Sequence, residues 1–135
     1  MHLASSLIVG ILLGGMVFFP AVVAPNVFRA LEPEPAGRFL RTLFPAYYVF
    51  IIVCSLIAAA TLYQQPTLAI GFGVVALTTL WVRQWLVPKI NGYRDAQLAG
   101  DTAAGTQFAN GHRLSVVINL LQMAFIGYAA VRLAL

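Results

Sequence analysis

The chain is short of charge. Only 9% of its 135 residues are charged, against about 25% in an ordinary soluble domain. Hydrophobic residues make up 61%. Too little polar surface is available to cover a water-soluble globule, so lipid is the expected solvent for most of the molecule. The single cysteine, Cys54, excludes an intrachain disulfide and a thiolate metal cluster within one subunit. Only two histidines are present, His2 and His112. No carboxylate falls inside any of the long apolar runs, which weakens a proton-driven transporter, because such proteins use an acidic relay residue. No Ser–His–Asp arrangement, P-loop or dinucleotide fingerprint occurs, and the expected molecule is not an enzyme.

What the chain does have is length in its apolar runs. Leu3 to Phe28 carries no charge, and neither does Thr42 to Val82. A helix crosses the hydrocarbon core with about 20 apolar residues, so the second run holds two spans, divided at Gln64-Gln65-Pro66. The expected fold is a single all-α membrane domain, a four-helix transmembrane bundle, with spans near 3–24, 44–63, 67–87 and 114–133. A cleaved signal peptide is the rival reading of the first run. It lacks a basic leading region and has too long an apolar stretch. Glu32-Pro33-Glu34-Pro35 reads as an extended break. Phe39, Leu40, Leu43 and Phe44, interleaved with Arg38 and Arg41, then read as a short interfacial amphipathic helix leading into the second span. Gly100-Asp101-Thr102 reads as the turn before the fourth span, with Asp101 or Thr102 as N-cap. The fourth helix is therefore extended, starting two or three turns before it enters lipid.

The basic residues are few and placed unevenly. Arg29, Arg38, Arg41, Arg83, Lys89, Arg94 and Arg113 belong to one edge of a four-span protein, and Arg132 alone to the other. By the positive-inside rule both termini face away from the cytoplasm, and a bacterial cytoplasmic membrane is the expected location. This placement explains the net charge of +4 without nucleic acid, since no basic run with interleaved aromatics lies on a soluble face. Trp81, Trp85, Tyr93, Tyr47 and Tyr48 read as interfacial anchors.

Two helical faces stand out. Ser6, Gly10 and Gly14 form a small-residue stripe on the first span, which serves either packing against a helix of the same chain or a homo-oligomer seam. His112, Ser115, Asn119 and Gln122 share one face of the fourth helix. They must point into the bundle or into an interface, since polar groups facing lipid are costly. Either they form interhelical hydrogen bonds or they line a ligand, ion or proton site. His112, Ser115 and Asn119, together with Arg83, Asn91 and Arg94, define a candidate pocket at the basic edge for a partner, a lipid headgroup or a small anion. The alternatives are a transporter or channel subunit and a haem- or copper-linked redox protein. For the last, Met16, Met123 and Cys54 are copper-ligand types but share no spacing, and His2 and His112 lie at opposite edges. No cofactor or metal is expected.

Phe28-Arg29, Leu43-Phe44-Pro45-Ala46-Tyr47-Tyr48, Arg83-Gln84-Trp85-Leu86-Val87-Pro88-Lys89, and Phe108, His112, Leu114-Ser115 and Asn119 resemble the transmembrane protein 205-like family over nearly the whole chain. The resemblance implies a four-span membrane domain of unknown activity and a polar edge that belongs to the family. A fainter likeness to haem-containing and copper-resistance four-span proteins runs through His2, Gly14-Gly15, Phe18 and Pro20.

Overall fold

A computed structural model describes residues 2–135; the side chain of His2 lies outside the description. Four long helices account for nearly all of it: α1 (Leu3–Ala30), α2 (Pro33–Thr61), α3 (Pro66–Leu98) and α4 (Thr102–Ala134). Each is long and apolar enough to cross a membrane, and the protein is an all-α, multi-pass membrane bundle. Helix α1 packs on α2 and α4, and α3 packs on α2 and, through its last turns, on α4.

The connections are tighter than the prolines suggest. Only Leu31 and Glu32 separate α1 from α2. Pro33 and Pro35 lie in the first turn of α2, where a missing N–H costs nothing because those donors have no helical partner anyway. The stretch from Pro33 to Pro35 is thus helical rather than extended. The amphipathic segment is helical as well, and continuous with the second span through Pro45. Helix α3 ends at Gly100, whose φ of +107° is open to glycine and strained for other residues. Asp101 then caps α4, its Oδ1 accepting from the N–H groups of Ala103 (3.1 Å) and Ala104 (3.3 Å).

Two π-helical turns interrupt the rods, at Phe19–Val23 and Val82–Leu86. Both end two residues before a proline, Pro25 and Pro88. A proline ring collides with the carbonyl four residues earlier. The wider turn moves that carbonyl aside, and the Ala24 and Val87 N–H groups bond instead to the Phe19 and Val82 carbonyls.

The two hairpins repeat one pattern. A single constant offset carries the inward positions of α1 onto those of α3: Ser5 to Leu68, Val9 to Phe72, Leu12 to Val75, Met16 to Thr79 and Phe19 to Val82. The same offset carries the first π turn onto the second and Pro25 onto Pro88. A second constant offset carries Ile51, Ser55 and Ala58 of α2 onto Gln122, Ile126 and Ala129 of α4, all buried.

This register corrects the packing expected of α1 within the chain. Ser6, Gly10 and Gly14 lie on the exposed face, and a Cβ added at Gly10 or Gly14 would meet nothing within 4 Å. The seam lies one position away. Ser5 is buried and donates to the Thr61 carbonyl of α2 at 3.3 Å. Gly15 lies under the Phe50 ring, 2.5 Å from where a Cβ would stand.

Candidate functional site at the basic edge

Helices α3 and α4 are each 33 residues long, or roughly 50 Å at about 1.5 Å per residue. A hydrocarbon core of roughly 30 Å cannot contain them. Lys89, Arg94, Asp95, Asp101 and Arg113 all lie toward the turn around Gly100, so the surplus lies mainly there. The residues Lys89 to Arg113 form a hairpin beyond the apolar part. Gly111 lets α3 come close, since a Cβ there would lie 2.9 Å from Ile90, and Gly105 does the same against Gln97 at 2.8 Å.

The six candidate residues divide into separate environments. Arg83, half-buried in the second π turn, donates through Nε to the Pro45 carbonyl of α2 at 3.3 Å and through Nη1 to Gln84 Oε1 at 3.0 Å. Asn119 is bound to α2: its Nδ2 lies 3.2 Å and its Oδ1 3.4 Å from the Tyr47 hydroxyl. Ser115 turns back on its own helix and donates to the His112 carbonyl at 2.7 Å, the usual recourse of a helical serine. Arg94 and His112 do come together, through Phe108. The Arg94 guanidinium lies 5.2 Å from the Phe108 centroid, and the His112 ring is parallel to Phe108 at 6.1 Å. Arg94 also donates to Gln97 Oε1 at 3.0 Å. Asn91 contributes its backbone carbonyl, which accepts from Arg41 Nη2 at 3.3 Å.

The deeper half of the α4 polar stripe, Asn119 and Gln122, is therefore bonded to neighbouring helices, while His112 is exposed. Gln122, at its deep end, donates through Nε2 to Thr78 Oγ1 (2.8 Å) and Thr79 Oγ1 (3.0 Å) of α3. Beyond it Ile126 and Ala129 are buried and apolar. Tyr47 and Tyr48 lie within the bundle rather than at its rim: Tyr48 is buried, and Tyr47 stacks on Phe19 at 4.4 Å.

Three contacts at the edge were not legible from spacing. Arg41 reaches from the start of α2 to Asp95 on the α3 extension, Nη2 to Oδ1 at 2.9 Å. Trp81 stacks on Trp85 at 5.0 Å with Lys89 Nζ 3.9 Å above Trp85. A groove of about 220 Å³ runs between α1 and α2 toward the basic edge, lined by Gly15, Phe18, Phe19, Val23, Leu43, Tyr47 and Phe50. Proline-induced π turns adjoining aromatic runs are the signal that could have located it. Among the described residues no three His, Cys, Asp or Glu side chains gather as a metal site.

Residues 7–98 match the model of a family described as a domain of unknown function, DUF4149. An uncharacterized protein of Aquifex aeolicus (strain VF5) is 28% identical over 104 residues, covering 76% of this chain and 74% of the relative. No solved structure matches. The family match ends at the close of α3, so Phe108, His112, Ser115 and Asn119 lie beyond it.

Proposed function

The chain belongs to the DUF4149 family, whose function is unknown, and on that premise we propose that it is a non-enzymatic membrane protein whose basic edge binds the anionic headgroups of the surrounding leaflet. The observation that carries this reading is an imbalance of charge. Arg38 and Arg41 are paired with Glu34 and Asp95, and Asp101 caps α4. Arg29, Lys89, Arg94 and Arg113 have no carboxylate partner among the described residues. A Lys or Arg near an anionic membrane surface contributes about 1 kcal/mol of attraction. Arg94, held over Phe108 and beside Gln97, is pre-positioned for a phosphate. The rigid hairpin carries it and Arg113 beyond the apolar zone, at the depth of headgroups.

In this proposal the basic edge faces the cytoplasm, the membrane is a bacterial cytoplasmic membrane, and the likeness to the transmembrane protein 205-like family extends through α4. The test uses the protein reconstituted in mixed phosphatidylglycerol and phosphatidylcholine nanodiscs, with the lipid retained on extraction measured by mass spectrometry. Wild type enriches phosphatidylglycerol. A variant combining Lys89→Gln, Arg94→Gln and Arg113→Gln loses that enrichment by more than about tenfold. Equal enrichment in the two proteins rejects the reading.

A further inference from the structure

We propose that the groove between α1 and α2 is a seat for one acyl chain of an anionic phospholipid. The idea rests on the headgroup reading above but concerns a different face of the bundle. At the groove the sequence departs from the internal repeat. The offset that matches α1 to α3 places Thr78 opposite Gly15, and Thr78 carries a side chain bonded to Gln122. Gly15 has none; the Phe50 ring stands 2.5 Å from where its Cβ would be, and glycine and ring together line the groove. The groove extends from Gly15 to Val23 on α1, about 12 Å along a helix axis, a length suited to a stretch of hydrocarbon chain and not to a compact polar solute.

Its wall is firm. Phe19 stacks on Tyr47 at 4.4 Å with an interplanar angle of 21°, and lies 5.2 Å from Phe44. The Tyr47 hydroxyl is engaged by Asn119, so the aromatic wall has no polar group left to bind a solute. Phe18 is 57% exposed and borders the open side, through which a chain in the leaflet enters sideways.

Charge selects the occupant. The groove runs toward the end of α1 that carries Arg29 and the start of α2 that carries Arg38 and Arg41. Arg29 is exposed and has no carboxylate partner among the described residues. A chain lying in the groove with its glycerol toward this end presents its phosphate to Arg29, since Arg38 and Arg41 are already paired with Glu34 and Asp95. The far end of the bundle has Arg132 alone, so a lipid in the opposite orientation finds no such match.

The test is the number and class of phospholipids retained by detergent-purified protein, counted by native mass spectrometry after delipidation and re-addition of phosphatidylglycerol or phosphatidylcholine with identical chains. Wild type is expected to hold one lipid, phosphatidylglycerol about tenfold more firmly than phosphatidylcholine. Gly15→Leu displaces the Phe50 ring that lines the groove and removes that lipid. Gly10→Leu, on the outward face of the same helix, leaves it intact. Phe18→Ala removes part of the exposed wall without crowding the bundle, lowers retention about tenfold, and decides the matter if Gly15→Leu fails to fold. Equal retention by Gly15→Leu and Gly10→Leu, or by Phe18→Ala and wild type, overturns the seat. A lipid count unchanged in Gly15→Leu, with phosphatidylglycerol still preferred, overturns the seat while the headgroup reading stands. Retention that vanishes in Gly15→Leu but never depends on headgroup charge overturns the anionic assignment and leaves the chain seat supported.

Discussion

At the scale of single residues, the polar groups of this bundle work in pairs across helices. Gln122 joins α4 to two threonines of α3, and Asn119 joins it to Tyr47 of α2. The threonines do not depend on Gln122, since Thr78 also donates to Val74 and Thr79 to Val75 within α3. Gln122→Leu therefore strands no buried hydroxyl. Its cost should stay within what membrane hydrogen bonds measure, an average of about 0.6 and a maximum of about 1.7 kcal/mol. Reversible unfolding in mixed micelles measures it, and a loss well above that range would show the amide doing more than linking helices. Ser55 is the opposite case. Its Oγ is fully buried and has no partner. An unsatisfied hydroxyl is a cost, so Ser55→Ala should leave stability unchanged or raise it by up to about 1 kcal/mol. Destabilisation in the same assay would mean that the hydroxyl does have a bonding partner. The serines and threonines of the apolar spans look alike in the sequence. Their roles were not legible there because a hydroxyl's value depends on which carbonyl or amide stands within 3 Å.

At the scale of elements, the helices are longer and less interrupted than the proline pattern suggests. Pro25 and Pro88 bend the hydrogen-bond ladder into π turns instead of ending it. The α3–α4 hairpin extends beyond the apolar zone because Gly100 reverses the chain and Asp101 restarts it. Loss of that cap should release the first turn of α4. Asp101→Ala is expected to cost about 1 kcal/mol and to raise hydrogen–deuterium exchange at Ala103 and Ala104, with little change deeper in the helix. The turn and its cap were readable in advance, since Gly-Asp-Thr between helical runs has a defined local chemistry. The fate of Pro88 was not: a proline ends a helix or is accommodated within it according to what packs around it.

At the scale of the whole molecule, an uneven edge dominates. The two hairpins repeat each other in register, yet the cations gather at one end and the groove beside Gly15 is lined by the first hairpin. The proposal that the basic edge faces the cytoplasm rests on the positive-inside rule. A reporter fused after Leu135 and active only in the cytoplasm should give no signal, while one inserted at Gly100 should be active. The reverse result would place the basic edge on the other side and remove the cytoplasmic leaflet from both lipid proposals.

Composition and apolar run length alone determined that this is a four-span helical membrane protein with a basic edge, because a hydrocarbon solvent admits few other arrangements for such a chain. They also showed that α4 carries a polar face which must turn away from lipid. Only the tertiary structure decided where that face goes. It places Asn119 against Tyr47 and Gln122 against Thr78 and Thr79, and leaves Arg94 and His112 on either side of Phe108 at the edge. It also moved the packing seam of α1 from Ser6, Gly10 and Gly14 to Ser5 and Gly15. The reason is geometric. One residue is about 100° around a helix, so the face that meets a neighbour is settled by how the helices dock, and small residues one step apart are equally suited to it by composition.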